Sequence, residues 1–182
     1  MKIAVYGTGN VGGGLADLWE RKGHQVMRLN RDGGDVSHAE VVLLAVPGEK
    51  VAEALEKLKG VQGKTVIDAT NLINAKPPSG FASNAEFVKS KTNGPVAKSF
   101  TTNFAMLYGK LNEARVKPSN LWCGDEEARS AVEQLCADAG YEAVSMGPLS
   151  NAALQEGLIA AIFAISQATG PFFYRIATPE KF

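Results

Sequence analysis

Apolar positions along the chain follow two periods. Ile3 to Tyr6 is a continuous apolar run, Val11, Leu15, Leu18 and Trp19 then recur at helical spacing, and Gln25 to Leu29 forms a second run. That order predicts strand, helix, strand. It repeats with a strand at Glu40 to Val46, a helix face at Val51, Leu55 and Leu58, and a strand at Lys64 to Ala69. Ser83 to Lys91 reads as a short helix, Pro95 to Phe100 as a strand, and Leu121 to Cys123 as a short strand stopping at Gly124. Asp125 then offers an N-cap, with Glu126 and Glu127 in the first turn. A stripe of Ala128, Ala131, Val132, Leu135, Cys136 and Ala139 ends at Gly140, and Glu142 to Ser145 is the last expected strand.

Strands that alternate with helices are expected to pair in parallel, because each crossover returns the chain to the same edge. The fold class is therefore α/β, a Rossmann-type doubly wound parallel sheet over residues 1–148 with a short C-terminal helical extension over residues 149–182. Asn30 to Ala39 departs from the pattern, being too short for a full crossover helix, and a loop or single turn is expected there. In the extension, Ser150 offers an N-cap, and Leu154, Leu158, Ile159, Ala161, Ile162, Phe163 and Ile165 leave almost no polar face. Such a helix must be buried, between subunits in preference to a purely intramolecular core position, and the extension is expected to be a substrate cover or dimer contact. Only Gly157 to Tyr174 is uncharged and Gly170-Pro171 interrupts it, which argues against a membrane span.

Composition narrows the functions. The chain has 182 residues, enough for one domain and a small appendage, and its 19 basic and 19 acidic side chains cancel. A neutral balance makes no nucleic-acid or membrane partner the expectation, so any anion must be held locally. Met1 leads directly into the first strand without an apolar leader, and the expected compartment is cytoplasmic. Cys123 and Cys136 are expected to be buried thiols, and neither His24 nor His38 has a partner at metal-ligand spacing.

The local anion site is Gly7-Thr8-Gly9-Asn10-Val11-Gly12, a G-x-G-x-x-G turn between the first strand and helix. The first Gly allows the tight turn, the second lets backbone approach a pyrophosphate, and the third lets helix and strand pack closely. An NAD-type site places a carboxylate about 20 residues further on, at the end of the second strand. Here that strand ends in Leu29-Asn30-Arg31. Asn30 can donate hydrogen bonds and Arg31 can pair with a 2′-phosphate, so NADP(H) is expected over NAD(H). The loops after the later strands carry Val46-Pro47, Asn71 and Thr102 where ribose and nicotinamide would lie.

The sequence resembles the NADP oxidoreductases that depend on the deazaflavin coenzyme F-420. The resemblance is carried by G-T-G-N-V-G-G-G-L-A from Gly7, L-N-R at Leu29 to Arg31, L-L-A-V-P at Leu43 to Pro47, V-I-D-A-T-N at Val66 to Asn71, C-G-D-E-E-A at Cys123 to Ala128 and G-P-L-S-N at Gly147 to Asn151. It implies NADPH held at Gly7, Thr8, Gly9, Asn10, Val11, Gly12, Asn30, Arg31, Val46, Pro47 and Asn71. It also implies a second redox partner near Pro47, Asn71, Thr102 and the C-terminal segment, often in a homodimer. Two departures are the shortened Asn30 to Ala39 segment and the Thr101-Thr102 pair where Asn-Thr is common.

Hydroxyacid dehydrogenases and pyrroline-carboxylate reductases resemble the first half but continue into a large helical substrate domain. Here only Leu149 to Phe182 follow the last expected strand, and the tail up to Tyr174 carries Glu156 but no Lys or His. Hydride transfer to a flavin or deazaflavin ring needs no such acid, because the conjugated acceptor takes up the charge. The expected function is an NADPH-dependent oxidoreductase passing hydride between NADP(H) and coenzyme F-420 or a flavin-like small-molecule acceptor, with no certain catalytic side chain and no metal. A nucleotide sensor without turnover, or a reductase of a small imine or carbonyl, are the alternatives.

Overall fold

The computed structural model describes residues 1–73 and 75–181. In chain order it forms β1 (Lys2–Tyr6), α1 (Asn10–Arg21), β2 (Gln25–Leu29), β3 (Gly34–Asp35), β4 (Val41–Leu44), α2 (Val51–Glu56), β5 (Leu58–Lys59), β6 (Thr65–Asp68) and α3 (Asn84–Thr92). There follow β7 (Val96–Ser99), β8 (Ser119–Gly124), α4 (Arg129–Ala139), β9 (Glu142–Ser145) and α5 (Ala152–Thr169). Seven strands make one sheet in the order β2-β1-β4-β6-β7-β8-β9, which is the expected α/β Rossmann-like architecture with a C-terminal helix. The chain leaves β1 for β2 on one side and returns to β4 on the other, so the crevice of the fold opens at their carboxyl ends.

The period of two along β1 explains the layers. Ile3 and Val5 enter one core with Leu15 and Trp19 of α1 and Leu135 of α4, while Ala4 and Tyr6 enter the other with Leu55 of α2 and Val88 of α3. Strands β4 and β6 are covered on both faces, which is why they read as unbroken apolar runs.

Four expectations are corrected. The sheet is parallel except where β8 pairs antiparallel to β7, with β9 parallel to β8. The intervening segment forms no crossover helix but a 3-10 run, Ala105–Glu113, whose Tyr108 and Leu111 are buried beneath α1. Leu58 does not extend the α2 face, because it lies in β5, which pairs with β3 in a separate two-stranded sheet. The Asp125 side chain does not cap a helix, since its Oδ2 accepts from the Val96 amide and from Lys89 Nζ, both at 2.8 Å. Nor is Ser150 an N-cap, because it falls inside a 3-10 turn, Leu149–Asn151, that precedes α5.

Helix α5 is built inside out. Its inward positions are Ala152, Gln155, fully buried with Nε2 donating to Thr101 Oγ1 (2.9 Å), and Ile159, while Leu154, Phe163 and Ile165 are exposed. By length and composition the segment Leu149–Thr169 is long and apolar enough to cross a membrane, and 22% of its most apolar window is buried. Beyond it Tyr174 returns to the sheet, its carbonyl accepting from the Ser119 amide at 2.9 Å.

Candidate dinucleotide site

The turn from β1 into α1 shows why glycine stands at each of its three positions. Gly7 has φ +100°, which disfavours any side chain, and a Cβ there would overlap the Ala45 carbonyl. A Cβ on Gly12 would overlap the Gly7 carbonyl, so that glycine lets α1 sit against its own entry turn. A Cβ on Gly9, by contrast, meets nothing within 4 Å. Neither packing nor an unusual φ (−72°) demands a glycine there, and its open face gives a ligand room to approach the backbone. The first amides of α1 are not capped by any side chain, which leaves donors that could hold an anion. The glycine run continues at Gly14, whose missing side chain makes room for the Tyr108 ring.

Beside the turn lies a cavity of about 550 Å³ lined by Tyr6, Gly7, Gly9, Arg31, Ala45, Val46, Pro47, Lys50, Glu53, Ala54 and Lys57. It brings together three of the expected binding residues from the first half of the site, Gly7, Gly9 and Arg31, with Val46 and Pro47 from the loop after β4. Arg31 is exposed and makes no ion pair among the described residues. Arg28, the neighbouring arginine, is committed to Asp17 (2.7 Å) and Glu20 (2.6 Å) on α1. Asn30 shapes the loop, its Oδ1 accepting from the Asp32 amide at 2.9 Å.

On the other side of the crevice, Asn71 Nδ2 donates to the Thr101 carbonyl at 3.1 Å, while its Oδ1 is buried without a partner among the described residues. Leaving such an acceptor unpaired costs about 1–3 kcal/mol, so a donor supplied by a bound nucleotide fits here. Thr102 is placed differently. It is buried, and its hydroxyl meets that of Tyr174 at 2.6 Å, so the side chain anchors the C-terminal segment. Phe172 likewise packs edge-on against Phe104 at 5.6 Å, and Phe173 joins the core under α1. The loop after β7 is strained at Phe100, a buried aromatic with φ +59°, packed edge-on against Trp19 at 5.7 Å.

Several residues of this region escape sequence patterns. Asn84, at the start of α3, donates to the Gly48 carbonyl and to Thr70 Oγ1, both at 2.9 Å, and so ties together the loops after β4 and β6. Lys98 is wholly buried in β7, 3.0 Å from Asp68, 2.7 Å from Glu156 and 2.9 Å from the Thr70 carbonyl. Burial opposes its charge, but the two carboxylates outweigh burial and hold the ammonium charged. A lone Lys inside an apolar strand, and Gln155-Glu156 inside an apolar helix, were the available signals. Both cysteines are buried free thiols, and burial pushes Cys123 up to about 11 and Cys136 up to about 12. His24 Nε2 contacts Asp138 at 2.8 Å, joining the turn before β2 to α4. Among the described residues no group of three His, Cys, Asp or Glu side chains is placed to hold a metal ion.

The model of the family described as NADP oxidoreductase, coenzyme F-420-dependent, matches residues 34–72. The chain resembles that family. Solved structures extend the likeness to the whole fold: a protein from Arthrobacter sp. FB24, provisionally described as an F-420-dependent NADP-reductase, superposes with TM-score 0.77 at 23% identity over 98% of this chain and 100% of its own. A hypothetical protein from Sinorhizobium meliloti superposes with TM-score 0.66 at 23% identity over 84% of this chain and 88% of its own. An imine reductase from Streptomyces aurantiacus gives TM-score 0.70 at 15% identity over 93% of this chain but only 64% of its own. No curated protein sequence matches. The match to the F-420-dependent NADP oxidoreductase family covers the Val46-Pro47 and Asn71 loops but not the glycine turn or Arg31.

Proposed function

We propose that the chain is an NADPH-dependent oxidoreductase that passes hydride between NADP(H) and coenzyme F-420 or a flavin-like acceptor. The observation that carries this reading is the meeting, at one cavity, of a glycine turn open at Gly9 and the guanidinium of Arg31, which makes no ion pair among the described residues. The α1 amides hold the pyrophosphate, Arg31 takes the 2′-phosphate, and Val46 and Pro47 flank the path toward the nicotinamide. Asn71 Oδ1 accepts a hydrogen bond that no described residue supplies. The bound dinucleotide brings the hydride, and the chain supplies placement and exclusion of water.

The reading includes a homodimer through α5. A helix that buries Gln155 and exposes Leu154 and Ile165 leaves an apolar face that a second copy covers.

The test follows NADPH absorbance with F-420, FMN, FAD, a quinone, ferric ion and a cyclic imine offered in turn. Turnover with F-420 or a flavin is expected. Turnover with the imine alone would replace the acceptor assignment, and NADPH binding with no oxidation by any of them would make the protein a sensor.

A further inference from the structure

The cavity beside the glycine turn has a second wall that no sequence pattern announces. The short β3–β5 sheet ties the segment after β2 to the end of α2: the Gly34 amide donates to the Lys57 carbonyl at 3.1 Å, and a Cβ on Gly33 would overlap that same carbonyl. This brings Lys57, remote in sequence, to the loop that carries Arg31. Lys57 Nζ donates to the Arg31 carbonyl at 3.1 Å, and the Tyr6 hydroxyl donates to the same oxygen at 3.3 Å. Lys57 Nζ also lies 2.7 Å from Glu53, whose carboxylate in turn lies 3.4 Å from Lys50. The charged groups lining the cavity are thus Arg31, Lys50 and Lys57 against Glu53 alone. The excess is cationic in a chain whose overall charge is zero.

From this placement we infer that Lys57 is a specificity-determining residue, the second cationic ligand of the cofactor's 2′-phosphate, beside Arg31 in the cavity lining. The inference rests on the NADP(H) reading above. Two cations on separate elements suit a dianionic phosphate monoester, whereas a bare ribose hydroxyl offers no charge for either to pair with. Glu53 is the internal counter-ion of Lys57 in the free protein. The loop after β2 carries no Lys or Arg beyond Arg31, and the β3–β5 pairing brings a second cation in from the end of α2.

Calorimetric titration with 2′,5′-ADP and 5′-AMP tests this on the wild type, Lys57→Met and Lys57→Arg. Methionine keeps the alkyl stem that packs beside Gly33 and removes the charge. The expected result is that Lys57→Met weakens 2′,5′-ADP about tenfold, the worth of one charge-assisted hydrogen bond at a partly exposed site, while 5′-AMP is unchanged. Lys57→Arg should restore most of the discrimination. Equal weakening of both probes would mean that Lys57 only shapes the Arg31 loop, and no weakening would mean that it does not meet the phosphate; either overturns the inference while leaving the NADP(H) reading standing. A wild type that binds 5′-AMP as tightly as 2′,5′-ADP would overturn the NADP(H) reading itself, and the inference with it.

Discussion

The ammonium of Lys98 in β7 lies 2.7 Å from the carboxylate of Glu156 on α5, so the C-terminal helix is fixed to the sheet through a buried charge. Asp68 shares the same ammonium at 3.0 Å. Two carboxylates therefore face one cation, and one negative charge is in surplus. Together with the Gln155 bonds to Thr101 and to the Leu121 carbonyl, this anchors the start of α5 beside the loops after β6 and β7. The position of the helix against the sheet is thus specified by polar contacts with defined partners.

The surplus charge sets a pH dependence. Burial pushes Glu156 above the ordinary carboxylate range, outweighing the downward pull of Lys98. A carboxyl raised in the folded state contributes stability that is complete below its unfolded value of about 4.3 and is lost as pH rises through the folded value. Urea unfolding from about pH 4 to about pH 8 should show the wild type losing stability relative to Glu156→Gln as pH rises. A constant difference between the two proteins would contradict the surplus-charge account.

Gly9 and Gly12 should separate binding from folding. Gly9→Ala adds a Cβ into open space at an ordinary φ, so stability should stay within about 0.5 kcal/mol, while the methyl intrudes on the pyrophosphate path and weakens NADPH at least about tenfold. Gly12→Ala drives a Cβ into the Gly7 carbonyl and should lower the melting temperature markedly. Thermal melts and NADPH titration of the pair check this. A Gly9→Ala protein that binds NADPH normally would remove the ligand from the turn.

The glycine turn was legible because much of its constraint is local: Gly7 takes a φ of +100° and Gly12 packs on the Gly7 carbonyl. Strands Gln25–Leu29 and Glu142–Ser145 matched their expected bounds because each follows a helix-ending glycine, Gly23 and Gly140. What escaped the sequence depends on pairs far apart in it. Lys57 reaches Arg31 only through the β3–β5 pairing, and Lys98 reaches Glu156 only because α5 folds back over β7. The reversal of β8 was hidden because a 3-10 run such as Ala105–Glu113 carries no clean helical period. Thr102 looked like a site residue by position, yet its hydroxyl is taken by Tyr174, 72 residues later.

Arg31 carries the NADP(H) assignment from the sequence side. Since Arg28 is occupied by Asp17 and Glu20, Arg31→Ala removes the free guanidinium and leaves α1 intact. Loss of a charge-assisted contact worth about 1.5–3 kcal/mol should raise the NADPH dissociation constant roughly tenfold or more, with little change for NADH. Equal affinity for NADPH before and after the substitution would remove Arg31 from the site.

The face of α5 turned away from the sheet presents Leu154, Ala161 and Ile165, which lie on one stripe of the helix because positions seven and eleven residues apart nearly coincide in direction. Leu154 is 62% exposed and Ile165 48%, and no charged residue occurs between Gly157 and Tyr174 to keep such a face in water. Fully burying a side chain of this size contributes about 1.5–3 kcal/mol, so pairing two such faces offsets part of the cost of association, and the small Ala161 lets two helices approach closely. Ala161→Arg places a charge at the centre of the stripe and touches nothing in the core, since Ala161 is exposed. Sedimentation velocity should therefore find a wild-type dimer at micromolar concentration and an Ala161→Arg monomer, with the same circular dichroism for both. A wild type that sediments as a monomer throughout would remove the second copy from α5, and binding of the wild type but not Ala161→Arg to neutral lipid vesicles would assign the face to a membrane surface instead.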